Sequence, residues 1–311
     1  MEGKRAIGLR FRHGGKVKRT IANGAVILSA GAIGSPQIMQ LSGIGPADML
    51  QSHRIDVAHH LPGVSGNLQN HLQIRTIYQV SNTVTLNECA SNLFGRARIA
   101  PEYVLNRSGP MSMALSQLGV FTKSDAALET PDLQYHVQPL SLDAFGQPLH
   151  DFPAITASGC NLRQANRGSI TIRSADPTDK PHIRAIYLST AGDRLVAVNS
   201  LRLTRRIMAR AALALRDPKE YLPGTEFSSD EDLVRKAGDI GTTICHPVGT
   251  AKIRQDPDAV VDDRLRVHGI DGLRVIDASI MPTITPGNTN SSTVMIAEKW
   301  GEMIVQDTKA R

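Results

Sequence analysis

Ala25-Val26-Ile27-Leu28-Ser29-Ala30-Gly31 leads directly into Ala32-Ile33-Gly34-Ser35-Pro36, and this run decides the fold class. Its first half is apolar at successive positions, the pattern of a strand covered on both faces in a parallel sheet. Small residues then turn the chain. Ser35-Pro36 is a helix-start pair, with serine as N-cap and proline at the first helical position. The helix carries Ile38, Met39 and Leu41 and stops at Gly43, and Pro46 opens a second short helix to about His53. A strand, a small-residue turn and a helix start form the repeating unit of doubly wound α/β domains, and such a turn can serve as a phosphate or adenine platform. Upstream, residues 6–11 and 17–21 alternate as strands around His13-Gly14-Gly15, and Asn23-Gly24 is expected to make a hairpin turn into the third strand.

From Leu72 the character changes. Residues 73–80, 119–123, 132–140, 154–162 and 168–173 read as strands separated by loops, with no regular alternation of strand and helix. That pattern predicts an antiparallel sheet with helices on one side. In Asp132-Leu133-Gln134-Tyr135-His136-Val137-Gln138 the apolar and polar residues alternate. The polar set either faces water or puts His136 or Gln138 in a substrate cavity. Thr190-x-x-Asp193 is a capping box before a long helix. On that helix Val196, Leu203 and Ile207 share one side and Arg202, Arg206 and Arg210 another, so it is amphipathic. Ser228 and Ser229, followed by Asp230-Glu231, start another helix.

At 311 residues the chain is long enough for about two domains. Aromatics are only 4%, which argues against a base-stacking nucleic-acid module. The net charge of +6 is spread along the chain and reads as a solvated surface. Cys89, Cys160 and Cys245 are too few and too scattered for a disulfide framework or a zinc site, so no metal is expected. That usage suits a reducing, cytoplasmic setting. No apolar run reaches eighteen residues, so no membrane span is expected, and Met1-Glu2-Gly3-Lys4-Arg5 does not read as a signal peptide.

Three pieces carry the chemistry. In Cys245-His246-Pro247-Val248-Gly249-Thr250, the proline holds His246 out of helical geometry and Gly249 permits close approach of another group. In Pro286-Gly287-Asn288-Thr289-Asn290, Asn288 lies in a turn, and Asn290, Ser291 or Ser292 can cap the helix that follows. The start of that helix would set backbone N–H groups and a positive dipole beside Asn288, a setting that favours a ligand gaining negative charge. Between the two, Gly272-Leu273-Arg274-Val275-Ile276-Asp277-Ala278-Ser279 reads as a strand whose acidic end would point into the same space.

Residues 29–45, Ser29-Ala30-Gly31 through Ser42-Gly43-Ile44-Gly45, resemble the second signature of the glucose-methanol-choline (GMC) flavoprotein oxidoreductases. Leu61-Pro62-Gly63-Val64-Ser65-Gly66-Asn67-Leu68-Gln69-Asn70-His71 resembles a further family segment, with Ser65-Gly66 and Asn70 departing from it. His246-Pro247-Val248-Gly249-Thr250 is similar to the segment carrying the family's catalytic histidine, and Asn288 to its partner position, which is His or Asn. Residues 260–269 and 272–282 resemble the stretch between.

The resemblance implies FAD, with Ser29 and Ala30 near its adenine side, Asp277 and Ala278 near the ribityl-pyrophosphate part, and Asn288 and Thr289 near the flavin ring. It implies oxidation of a small-molecule alcohol to a carbonyl by hydride transfer to flavin N5, with His246 as general acid/base. The nearest likeness is to choline-dehydrogenase-like enzymes, with the alcohol and the electron acceptor left open. The expected fold is α/β plus α+β: an incomplete, Rossmann-like FAD-binding domain in residues 1–71, an antiparallel-sheet substrate domain in 72–238, and a return to the FAD domain in 239–311. No Gly-x-Gly-x-x-Gly fingerprint occurs in the chain, so the sequence reads as an N-terminally truncated member of the family. Three alternatives stay open at this point: an inactive fragment, one half of a split protein completed by a separate chain, and a hydroxynitrile-lyase-like enzyme on the same fold.

Overall fold

The computed structural model describes residues 1–309 apart from 92, 115 and 145. In chain order the strands are β1 (Gly8–His13), β2 (Lys16–Ile21), β3 (Val26–Leu28), β4 (Ile44–Gly45), β5 (His59–His60), β6 (Leu72–Gln79) and β7 (Leu118–Thr122). They continue with β8 (Leu133–Gln138), β9 (Ala154–Asn161), β10 (Ser169–Thr171), β11 (His182–Arg184), β12 (Lys219–Leu222), β13 (Gly241–Thr243) and β14 (Leu273–Val275). The helices are α1 (Gly31–Leu41), α2 (Ala47–Ser52), α3 (Leu86–Cys89), α4 (Leu93–Asn106), α5 (Ala191–Met208), α6 (Asp230–Asp239) and α7 (Asn290–Lys309). Among the described residues no helix is long and apolar enough to cross a membrane.

The chain divides into two compact units, the first of residues 1–70, 166–186 and 245–311, the second of residues 71–165 and 187–244. Residues 166–186 lie in the first because β10 and β11 pair with each other and Gly168 bridges to Leu68. Residues 239–244 lie in the second because β13 pairs with β6.

In the first unit, β3 pairs in parallel with β14. Val26 and Leu28 face a core that includes Val248, Val260, Leu265 and Trp300. Ile27 points the other way and is 43% exposed, so this strand is covered on one face and not on both. β1 and β2 form an antiparallel hairpin closed by Gly14 and Gly15, both at positive φ as a tight two-residue turn requires. Asn23-Gly24 does not make a second hairpin, because β3 leaves β2 to pair with β14. Along the chain's last helix, Ile296 and Trp300 face the same core, and Asp307 accepts from Arg274 Nη2 at 2.5 Å. That guanidinium holds the Asp307 carboxyl below the usual range.

The second unit is built on an antiparallel sheet of order β12-β6-β9-β8-β7, with β13 also on β6. Ile74 packs with Ala197, Val198 and Leu201 of α5 and Leu233 and Ala237 of α6. Thr190 caps α5, its hydroxyl accepting from Asp193 N at 3.1 Å. The buried side of α5 differs from the expected one. Ala197, Ser200, Leu201, Thr204 and Met208 face inward, whereas Ile207 is 38% exposed. Small residues win this face because α5 lies close on β9: a Cβ on Gly159 would come within 2.1 Å of Ser200 Oγ. Burial also pushes the Cys160 thiol up to about 12, which keeps it protonated and inert.

One buried ion pair pins α5 to β12. Arg205 Nε and Nη2 donate to the two oxygens of Glu220 at 2.8 and 2.7 Å, and the Glu220 side chain is only 4% exposed. Tyr78 OH and Gly224 N donate to the same carboxylate, each at 3.2 Å. Removing one partner strands the other charge, which typically costs about 3–5 kcal/mol. Glu220→Ala should therefore lower the unfolding free energy measured in urea by about 3 kcal/mol; a loss below about 1 kcal/mol would show that solvent already screens the pair.

Candidate active site

The turn after β3 is set by a carboxylate from the neighbouring strand. α1 begins at Gly31, five residues earlier than the Ser35-Pro36 pair suggests. Ser35 is buried inside the helix instead of capping it. Its hydroxyl accepts from Ala30 N at 3.1 Å and donates to Asp277 Oδ2 at 2.5 Å. Gly31 N donates to the same oxygen at 2.9 Å, and Ser279 N donates to Asp277 Oδ1 at 2.8 Å. Asp277, 6% exposed, thus locks its own turn and the β3–α1 turn together. Ser29 and Ala30 remain exposed at the surface of that turn, and at Gly31 (φ +76) the position a Cβ would take is open.

Pro36 in turn creates a docking point for the histidine segment. Lacking an N–H, it leaves the carbonyl of Ala32, four residues back, without its helical donor. The hydroxyl of Thr250 supplies one at 2.7 Å. Thr250 is fully buried, so the segment running back to His246 is fixed to α1.

Residues 61–71 hold the same segment from its other side. Gln69 and Val248 exchange both backbone hydrogen bonds, at 3.0 and 2.9 Å. Asn67 Nδ2 donates to the carbonyls of Gly249 and Pro282 at 3.1 and 3.2 Å. Gln69 Nε2 donates to the Pro282 carbonyl at 3.1 Å, and Gln69 Oε1 accepts from Ile284 N at 3.1 Å. Two side-chain amides therefore join the segment of His246 to the segment that leads to Asn288. Gly249 is required here, since it sits at φ +94 and a Cβ would lie 2.5 Å from the Asn67 carbonyl oxygen.

His246 is half-buried, and its backbone N–H donates to Asn70 Oδ1 at 3.0 Å. Cys245 before it is held at φ 60, a left-handed conformation uncommon for a side-chain-bearing residue. Together with Pro247, these constraints fix the direction in which the histidine leaves the chain. Asn288 is exposed, two residues before the first residue of α7, and Thr289 is buried with its carbonyl accepting from Thr293 N and Oγ1 at 3.0 and 2.8 Å. Ala278 opens a short 3-10 turn over Ala278–Ile280.

Residues 1–73 match a family model described as GMC oxidoreductase, and residues 164–297 match a second model of the same description. The chain belongs to the GMC oxidoreductase family. It is 39% identical to an oxygen-dependent choline dehydrogenase of Stenotrophomonas maltophilia, over 97% of this chain and 54% of that protein. It is also 39% identical to one from Serratia proteamaculans, over 99% and 56% of the two chains. Among solved structures, a pyridoxine 4-oxidase superposes with a TM-score of 0.83 at 27% identity, covering 97% of this chain and 55% of that one. A variant of the formate oxidase from Aspergillus oryzae, studied for FAD modification, gives 0.91 at 25% identity, covering 99% and 58%. The chain spans about half the length of the curated relatives it matches.

Within this GMC oxidoreductase chain, reading the residues one at a time picked out the His246 and Asn288 segments but not what joins them. Asn67 and Gln69 join them, while Asn70 and Thr250 tie the His246 segment to the 61–71 loop and to α1. Their signal in the sequence was a set of amides and a hydroxyl beside Gly and Pro, which is also the composition of any loop. Ser65, a departure from the family pattern, has a visible use: its hydroxyl meets the Gln40 amide, which also donates to the Ile170 carbonyl at 3.0 Å.

Gly249→Ala should cost at least about 2 kcal/mol, because it adds left-handed strain to a backbone clash that no flexible side chain can relieve. Thermal unfolding checks this, and a melting point unchanged from the parent chain would disprove the tight approach.

Proposed function

We propose that this chain carries the substrate side of an FAD-dependent alcohol oxidoreductase, with His246 as the general acid/base and Asn288 as its partner. The observation that carries the reading is the amide clamp of Asn67 and Gln69, which draws together the two segments ending in those side chains.

The turn residues fit part of a dinucleotide. Ser29 and Ala30 are exposed, Gly31 leaves open space beside them, and Asn288 is exposed near the start of α7. Ser29 and Ala30 would lie along the adenine side, Asp277 and Ala278 near the ribityl-pyrophosphate part, and Asn288 and Thr289 near the flavin ring. Asp277 would act through the turn it locks, since its oxygens are already engaged by Gly31, Ser35 and Ser279. When bound, FAD would supply the redox chemistry by accepting hydride at N5.

The protein's own part is positioning and proton transfer. His246 accepts the hydroxyl proton of the alcohol as its carbon is oxidised, a role that typically contributes about 10²–10⁴-fold, or about 3–5 kcal/mol of barrier. Asn288 cannot take up that proton. Its amide donates a hydrogen bond that orients the alcohol oxygen, so it matters less to rate. The electron acceptor stays open.

The test uses a chimera in which the N-terminal half of a choline dehydrogenase relative precedes this chain. With an alcohol that reduces the chimera's flavin, His246→Ala should slow single-turnover reduction by about 10²–10⁴-fold, and Asn288→Ala by about tenfold or less. Equal, small losses from the two substitutions would contradict the assignment.

A further inference from the structure

The β1–β2 hairpin carries the cations Arg10, Arg12, Lys16, Lys18 and Arg19 and no carboxylate. Antiparallel pairing puts directly opposite residues on the same face. The register Arg10↔Arg19 and Arg12↔Val17 therefore gathers the three arginines on one face, while Phe11↔Lys18 and His13↔Lys16 leave the two lysines on the other. Arg10 and Arg19 stand directly opposite each other, a like-charge pairing that is unfavourable unless an anion lies between them. Among the described residues, no carboxylate comes within ion-pair distance of any of the three arginines.

The arginine face is turned into a groove. A cavity of about 810 Å³, in the size range of small-molecule sites, is walled on one side by Arg10, Arg12 and Arg19 and on the other by Ile38, Leu41 and Ile55, and Lys16 and Lys18 do not line it. It lies by the C-terminal end of α1, whereas the Ala30–Gly31 turn is at the other end of that helix. The helix carbonyls there are already taken. Ser42 N and Oγ donate to the Ile38 carbonyl at 3.1 and 2.8 Å, and Gly43 N donates to that of Gln40 at 2.9 Å. Among the described residues, Asp56 is the one carboxylate lining the groove. Asp176 stands near Arg12, but its Oδ1 accepts from Thr178 N and Oγ1 at 2.8 and 2.7 Å. Those bonds hold its carboxyl below the usual range, and the Arg12 charge adds a smaller pull. Three guanidinium groups against these two carboxylates still leave a net positive charge.

A guanidinium pairs best with a carboxylate or phosphate, whose two oxygens match its fork, and does so more strongly beside an apolar wall than in open water. We propose that this groove is a ligand site separate from the flavin site, and that it binds an amphipathic anion. A carboxylate or phosphate head sits between Arg10 and Arg19, and an alkyl or aryl body lies along Ile38, Leu41 and Ile55. The ligand is a free molecule. A bilayer would meet the outer face of the hairpin, where Lys16 and Lys18 stand, and not the arginines that line the groove.

The probe is octanoate below its micelle concentration, titrated into the 311-residue chain and followed by calorimetry and ligand-observed NMR. It should bind saturably, about tenfold or more tightly than 1-octanol, which has the chain without the charge, and than acetate, which has the charge without the chain. Arg10→Gln combined with Arg19→Gln should weaken octanoate about fivefold or more and leave 1-octanol unchanged. Lys16→Gln combined with Lys18→Gln removes the same charge from the other face and should leave octanoate binding as it was. Asp56→Asn should tighten it. 1-Octanol binding as tightly as octanoate overturns the inference. Equal weakening by the arginine and lysine pairs does so too, because it would reduce the effect to diffuse surface attraction. Absence of saturable octanoate binding also overturns it, and retention on phosphatidylglycerol vesicles would then identify the partner as a lipid surface. The ranking of the three probes on the parent chain decides the inference even where a variant fails to fold.

Discussion

Pro36 removes one backbone donor from α1, and Thr250 takes the carbonyl this leaves. The rest of the first unit's site depends on that exchange. It fixes the segment of His246 to the helix that follows β3, where Gly249 lies against Asn67 so closely that a Cβ would collide with the backbone. Asn67 and Gln69 can then reach Pro282 and Ile284 on the segment leading to Asn288. Each of these hydrogen bonds satisfies a backbone group that irregular chain would otherwise bury unpaired, a cost of about 1–3 kcal/mol apiece. A site made of loops is held this way because no ladder is available to hold it.

The second unit solves a different problem. Its sheet packs closely on α5 through small side chains and Gly159, and the Arg205–Glu220 pair fixes the edge strand β12 to the same helix. With one face committed to helices, the other is left to carry polar groups. Alternation of period two is what allows one strand, β8, to serve both: Tyr135 donates to the Ser200 carbonyl of α5 at 2.8 Å, while Gln134, His136 and Gln138 form the polar row.

Much of this was legible in the sequence. The Val26–Leu28 strand, the antiparallel sheet, the Thr190 and Ser229 caps and the His246 and Asn288 segments all follow from spacing or from the family signatures. What escaped it has a common cause. Ser35-Pro36 reads as a cap because serine before proline usually is one; here the hydroxyl finds Asp277, 242 residues away, and the helix starts earlier. Asn23-Gly24 reads as a hairpin turn, yet a non-local parallel partner outcompetes β2 for β3. The inward side of α5 was misassigned because close packing on glycine favours Ser200 and Thr204 over the larger Leu203 and Ile207. Local propensity is overridden wherever a distant segment supplies a better partner.

The central claim is that one cooperative network holds the His246 and Asn288 segments, with the Thr250–Ala32 hydrogen bond at its base. Native-state amide hydrogen exchange on Thr250→Val tests it most directly, because the substitution removes the hydroxyl and little else. Losing that bond should lower the local opening free energy by about 1–3 kcal/mol. The account predicts that the amides of Val248, Ala251 and Ile284 lose protection together. Loss confined to residues adjoining position 250, with Ile284 protected as before, would contradict it.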